Sequence, residues 1–200
     1  GDGCWITDVE GDRRLDCLNN YTALIHGHAH AAIVEAATRR LALGSSFPLP
    51  TPEEVELAAL LCERLPSAER VRFTNSGSEA VMMAIKGARA WTGRPKIAKF
   101  EGAYHGLSFG ALDCTWRSDF KLPFAARLPD ATRFARYGDL DDVRRVADLP
   151  GEAIGAVLVE PIQGRGGECV PPDGFMTGLR ALCDERGWLL VADEIYTGLG

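Results

Sequence analysis

Val71-Arg72-Phe73-Thr74-Asn75-Ser76-Gly77-Ser78-Glu79-Ala80, continuing to Trp91, reads as a strand, a turn and a helix, and it sets the pattern for the rest of the chain. Val71 to Thr74 is apolar-led, as a buried strand is, while Ala80, Ala84 and Ala88 fall on one face of the helix that follows. Small residues on that face let the helix lie close against a sheet. Ser76 precedes Glu79 by the spacing of a capping box, so the helix is expected to start at Gly77. The first N–H groups of a helix have no partner within it and its dipole is positive there, so this turn favours an anion. Gly77 would let a ligand reach bare backbone. A capping box alone accounts equally well for Ser76 and Glu79, so this stretch by itself leaves a structural turn and a phosphate cup both open.

Composition narrows the partners. The 200 residues are 46% hydrophobic, enough to build a core, and could hold one large domain or one domain and part of another. With 22 basic and 28 acidic residues the net charge is −6, and no basic run is present, which argues against nucleic acid or an anionic membrane as partner. A small molecule is the expected ligand. Six cysteines, Cys4, Cys17, Cys62, Cys114, Cys169 and Cys183, show no CxxC spacing and suit reduced thiols in a cytoplasmic protein. Apolar runs such as Trp188 to Ala192 are far too short to span a bilayer. The chain opens at Gly1 with no initiator methionine and stops at Gly200 among turn residues, so a fragment at both ends is expected.

Residues 3–18 alternate polar and apolar around Glu10-Gly11-Asp12, the pattern of a half-exposed β-hairpin. His26, His28 and His30 alternate as a metal site could require, but no carboxylate or cysteine lies close in sequence to complete a shell, and no metal is expected. Ile33, Ala37 and Leu41 mark a helix closed by Gly44. Thr51-Pro52-Glu53-Glu54 opens another as a capping box with proline at the first helical position, its buried stripe being Val55, Ala58, Cys62 and Leu65. Gly44 to Pro50 separates the two as a linker, which places a domain boundary between residues 1–45 and 46–200. Beyond residue 71, strands at Lys96–Phe100, Thr132–Tyr137, Ile154–Val159 and Trp188–Ala192 alternate with helices, which predicts a parallel sheet covered on both faces. The helix from Asp173 turns Phe175, Leu179 and Leu182 inward and stops at Gly187.

In an open α/β sheet the ligand lies beyond the carboxyl ends of the strands. The unusual residues gather there: Asn75 to Ser78, Tyr104-His105-Gly106, Glu160-Pro161 and Asp193-Glu194. A carboxylate buried at the end of an apolar strand is costly unless a cation or strong donor meets it, so Asp193 needs a partner. Glu160 suits a structural ion pair or cap as well as a functional role.

Together these segments resemble the class III aminotransferases, enzymes of pyridoxal phosphate fold type I. The resemblance rests on Asn75-Ser76-Gly77-Ser78-Glu79-Ala80, Tyr104-His105-Gly106, Val159-Glu160-Pro161-Ile162-Gln163-Gly164 and Asp193-Glu194-Ile195-Tyr196-Thr197-Gly198, in order and without a large gap. It implies a three-layer α/β sandwich with a mostly parallel sheet as an incomplete major domain, preceded by a hairpin and helix of the small domain. It also implies pyridoxal 5'-phosphate as cofactor. Gly77 and Ser78 would give N–H groups to its phosphate, Tyr104 would stack on its ring and Ile195 would pack on the other face. Asp193 would accept a hydrogen bond from the pyridine nitrogen, and Tyr196 stands where a glutamine usually bonds the ring hydroxyl.

The family's Schiff-base lysine follows the aspartate strand. Lys86, Lys96, Lys99 and Lys121, the four lysines present, all precede Asp193 and match no family lysine, so this chain alone is not expected to complete the reaction. The implied activity of the whole protein is amino transfer from an amino acid or amine to a 2-oxo acid, in a cytoplasmic homodimer. Leu107 replaces the arginine of acetylornithine-type enzymes, and Arg165 stands where many relatives using ω-amino donors have glutamate. Gly44-Ser45-Ser46-Phe47 and Val71-Arg72-Phe73 resemble the glutamate-1-semialdehyde aminomutases, the alternative activity. A non-catalytic binding or assembly module with this fold is the alternative of another class.

Overall fold

Alternation of apolar strands with helical patterns after residue 71 produces the expected parallel sheet. The computed structural model describes residues 1–128 and 130–199, the side chain of Thr22 excepted. Contacts group the chain into two units, Gly1–Arg72 and Phe73–Gly200. The Gly44–Pro50 linker lies inside the first.

The first unit opens with an antiparallel hairpin, β1 (Trp5–Thr7) and β2 (Arg13–Leu15), in the register Trp5↔Leu15 and Thr7↔Arg13. A turn, α1 (Asn19–Thr22), has Asn20 and Tyr21 in left-handed backbone, and the helices α2 (Ala31–Leu41) and α3 (Pro52–Arg64) follow. Neither α2 nor α3 has a buried residue, so the stripe expected on α3 is not buried: Val55 is 60% exposed. An amphipathic stripe is covered only if a second layer faces it, and this unit supplies none. Thr51 is the N-cap of α3 but makes no side-chain capping bond, a correction to the expected box; Pro52 at the first position has no N–H to satisfy.

The second unit begins with α4 (Gly77–Thr92), capped as expected by Ser76 Oγ, which accepts from Glu79 N–H at 3.3 Å. Then come β3 (Lys96–Phe100), the short helices α5 (Phe109–Cys114) and α6 (Ser118–Lys121), a 3-10 turn at Leu122–Arg127, and β4 (Thr132–Ala135). The helix α7 (Leu140–Ala147), β5 (Ile154–Val159), α8 (Phe175–Arg186) and β6 (Leu189–Ala192) complete it. The four strands pair in parallel in the order β4-β3-β5-β6.

Strand periodicity divides the core in two. On one face Ala98, Phe100, Val157 and Val159 pack on Val143 and Val146 of α7 and on Phe175, Leu179, Leu182 and Cys183 of α8. On the other, Ile97, Ala156 and Leu158 meet Val81, Ile85 and Ala88 of α4. Burying each Val, Ile or Leu in this way contributes about 1.5–3 kcal/mol, which is what fixes the strand ends in place.

Residues 71–74 are not a strand. Extended chain becomes a strand only by pairing, and β6, an edge of the four-stranded sheet, has no outer neighbour among the described residues. β4 ends at Ala135, not at Tyr137, because Arg136 N–H turns to Asp142 Oδ2 at 2.8 Å. β6 starts at Leu189 because Trp188 N–H still serves the end of α8, bonding Cys183 O at 2.9 Å past the left-handed Gly187.

Candidate functional site

The carboxyl ends of β3, β5 and β6 and the N-terminus of α4 bring the singled-out residues to one edge. At the end of β6, Asp193 is held by its own N–H to Val159 O at 2.7 Å, and the residue is 7% exposed. The partner it needs is His105, whose Nδ1 lies 2.7 Å from Asp193 Oδ2. His105 is itself 2% exposed, and its Nε2 has no hydrogen-bond partner among the described residues. An acceptor at Asp193 fixes the proton on Nδ1 in the neutral ring. Asp193 Oδ1 accepts a 3.3 Å bond from Ile195 N–H, and a carboxylate oxygen has capacity for a second donor.

The loop carrying His105 is braced from below. Thr115 Oγ donates to Gly106 O at 2.8 Å and accepts from His105 N–H at 3.3 Å. Gly106 has φ +103°, and a Cβ there would meet Ser78 Oγ at 2.1 Å, so only glycine lets this loop close on the start of α4. Leu107 N–H reaches Ser78 Oγ at 3.4 Å. A Cβ on Gly77 would meet Ile195 Cδ1 at 2.3 Å. Gly77, Ser78, Gly106, His105, Asp193 and Ile195 therefore form one cluster, with the N–H groups of Gly77 and Ser78 ahead of the first intrahelical bond.

Tyr104 and Tyr196 stand to the side. Tyr104 N–H donates to Glu160 Oε1 at 2.9 Å, and Gly164 N–H donates to Glu160 Oε2 at 3.1 Å. Burial pushes the Glu160 carboxyl above its ordinary range while those two N–H groups pull it back. Its place is thus that of a clamp between two loops. The Tyr196 ring lies against Gly164, 3.6 Å from where a Cβ would sit, and its hydroxyl donates to Glu168 Oε1 at 3.3 Å. An open cavity of about 320 Å³ runs from Ala80 and Ala84 to Val191, Asp193 and Ile195. Among the described residues no group of His, Cys, Asp and Glu forms a metal cluster.

The decisive observation is that residues 1–200 match the family profile of the class-III aminotransferases. The chain belongs to that family. This aminotransferase chain is 41% identical to a glutamate-1-semialdehyde 2,1-aminomutase of Syntrophobacter fumaroxidans, over 98% of its own length and 47% of that protein's. It is 40% identical to an acetylornithine aminotransferase of Methanopyrus kandleri, over 100% and 51% of the two lengths. Among solved structures, an omega-transaminase from Sphaerobacter thermophilus superposes with a TM-score of 0.88 at 40% identity, over 98% of this chain and 48% of that one. A PLP-bound amine transaminase from an uncultivated Pseudomonas species gives 0.90 at 28% identity, over 100% and 52%. The expected fold is therefore the one these transaminases share, and the chain spans about half the length of the curated relatives it matches.

His105 is the residue that the sequence reading passed over. Within Tyr104-His105-Gly106 it carries no expected role, because the resemblance meets the need of Asp193 for a donor with the pyridine nitrogen; that need is the signal that also points to His105. Of the lysines, Lys96 bonds Asp130 O, while Lys99 and Lys121 lie on the Phe134 ring.

Proposed function

We propose that the whole protein is a pyridoxal-phosphate-dependent aminotransferase that moves an amino group from an amino acid or amine to a 2-oxo acid, and that this chain supplies much of its cofactor site. The observation that carries this is the buried His105–Asp193 pair, set beside the glycine-bearing start of α4. The residues fit the cofactor. Gly77 and Gly106 keep side chains away from the N–H groups that would receive a phosphate, and Asp193 retains an acceptor site for a ring N–H.

Bound there, pyridoxal phosphate supplies an electron sink for a carbanion on the substrate. Asp193, anchored at the end of β6, would keep the ring nitrogen protonated. His105 orients that carboxylate through Nδ1, and burial of both excludes water, which strengthens the interaction. Gly77 and Ser78 hold the phosphate at the helix N-terminus. Tyr104 and Ile195 would hold the two faces of the ring, and Tyr196 would bond the ring hydroxyl. We assign residues 46–200 to the major domain and 1–45 to the small one, and expect the whole protein to be a cytoplasmic homodimer. Six unpaired cysteines support the compartment, and the exposed Val34, Leu41, Val55 and Leu57 support burial against further protein.

Glutamate-1-semialdehyde aminomutase chemistry is a second reading, supported by aminomutase relatives at 40–42% identity. Incubating the cofactor-loaded whole protein with amino donor and no acceptor separates the two. A transaminase releases stoichiometric free oxo acid; rearrangement of glutamate 1-semialdehyde without such release would replace our reading with the mutase.

A further inference from the structure

The loop after β5 has the sequence Glu160-Pro161-Ile162-Gln163-Gly164-Arg165-Gly166-Gly167-Glu168-Cys169, and Arg165 at its tip has been given no role above. The loop is tightly held. Gln163 and Cys169 exchange backbone bonds of 3.0 Å in both directions, and Gly167 and Glu168 N–H both reach Gly164 O at 3.2 Å. Gln163 Nε2 donates to Glu101 O at the end of β3 at 2.8 Å, and Gly164 N–H is gripped by Glu160. From this base the guanidinium of Arg165 lies over Tyr104, its carbon 4.4 Å from the ring centroid.

The same Glu160 carboxylate holds Tyr104 and the base of the Arg165 loop, so the cation and the ring are positioned as one piece. Tyr104 is the neighbour of His105, which bonds Asp193. Carboxylates dominate this edge, with Glu160, Glu168, Asp193 and Glu194 close in sequence to the site residues. A guanidinium held over an aromatic face keeps its N–H groups in its own planar fork, a geometry suited to a carboxylate and unsuited to a neutral amine.

The geometry points to Arg165 as a specificity-determining residue that binds the carboxylate of an amino acid donor or 2-oxo acid acceptor. The inference rests on the transaminase reading and adds a substrate class to it: acids are preferred over amines lacking a carboxylate.

The test uses the whole protein loaded with pyridoxal phosphate and compares alanine with alaninamide, which differ only at that group. For Arg165→Met, kcat/KM for alanine relative to alaninamide is expected to fall roughly ten- to hundredfold, the effect of losing a charge-assisted pair. Arg165→Lys should recover part of that loss. By calorimetry, the dissociation constant of propionate should rise in Arg165→Met by a similar factor, and that of propionamide should not follow it. An unchanged alanine-to-alaninamide ratio, or equal weakening of both, means that Arg165 only packs on Tyr104 and overturns the inference. Wild type that neither loads the cofactor nor consumes either donor sinks the transaminase reading and this subsite together.

Discussion

Asp193 and His105 are each expensive to bury and affordable only as a pair. Their separation of 2.7 Å, with side-chain exposures of 4% and 0%, makes the bond a condition of the fold as well as of the proposed chemistry. Removing one partner of a buried hydrogen bond to a carboxylate typically costs about 1–3 kcal/mol or more, because the other is left unsatisfied. Asp193→Asn keeps the shape and a hydrogen bond to the imidazole but removes the charge that, in the proposed site, would hold a ring nitrogen protonated. In the whole protein we expect this variant to retain the cofactor phosphate site and to lose roughly a hundredfold or more in kcat, the scale of removing one preorganised electrostatic partner. Cofactor absorbance and steady-state rates measure the two effects separately. Turnover near that of wild type would remove Asp193 from the chemistry.

At the scale of elements, the turn from Asn75 into α4 tests whether the helix start is merely capped or is shaped for an anion. Ser76→Ala removes the 3.3 Å capping bond and should cost about 1 kcal/mol of stability. Gly77→Ala should behave in the opposite way. The added methyl meets only the end of the 68%-exposed Ile195 side chain, which can swing aside, and alanine gains about 0.5–1 kcal/mol in helix propensity over glycine. It also covers the exposed N–H groups. We therefore expect Gly77→Ala to hold its melting temperature but to bind pyridoxal phosphate more weakly by titration; unchanged affinity would make the helix start a cap and nothing more. The elements most legible in the sequence were those with both faces committed: Ile154–Val159 is buried at every residue and matched its expected bounds. Val71–Thr74 was misread because its apolar pattern is that of a strand, while strand formation also needs a partner that pattern does not reveal. The α3 stripe failed for the same reason. His105 escaped because a buried histidine in the loop after a strand has no periodic signature and declares itself only through a contact 88 residues away.

For the molecule as a whole, the most consequential group lies outside the proposed site. Lys99 on β3 is 0% exposed, its Nζ has no hydrogen-bond partner among the described residues, and it sits 3.9 Å from the Phe134 ring centroid. Lys121 approaches the same ring at 4.6 Å while donating to Asp113 O. Burial pulls the Lys99 amine from 10.5 down to about 6; Cys114 opposes it, the Lys121 charge adds to it, and Asp113 opposes it more weakly. Between those two values the unfolded chain binds a proton that the folded chain does not. Unfolding free energy must therefore rise with pH across that window, by up to about 1.4 kcal/mol per pH unit from this residue. The penalty is absent above pH 10.5, grows as pH falls toward 6 and is constant below it. Cys114, pushed up to about 11 by burial, works in the other direction only above its ordinary value near 9, which leaves pH 6.5–8.5 as a clean interval. In urea unfolding of the whole protein, wild type should gain stability steadily from pH 6.5 to 8.5. Lys99→Met, which fills a similar volume without a charge, should flatten that slope and raise stability at pH 6.5 by a few kcal/mol, of the order found when buried charges are replaced by apolar side chains. Parallel pH profiles for the two proteins would mean that Lys99 keeps its proton on folding, and the amine would then have to be hydrated in solution.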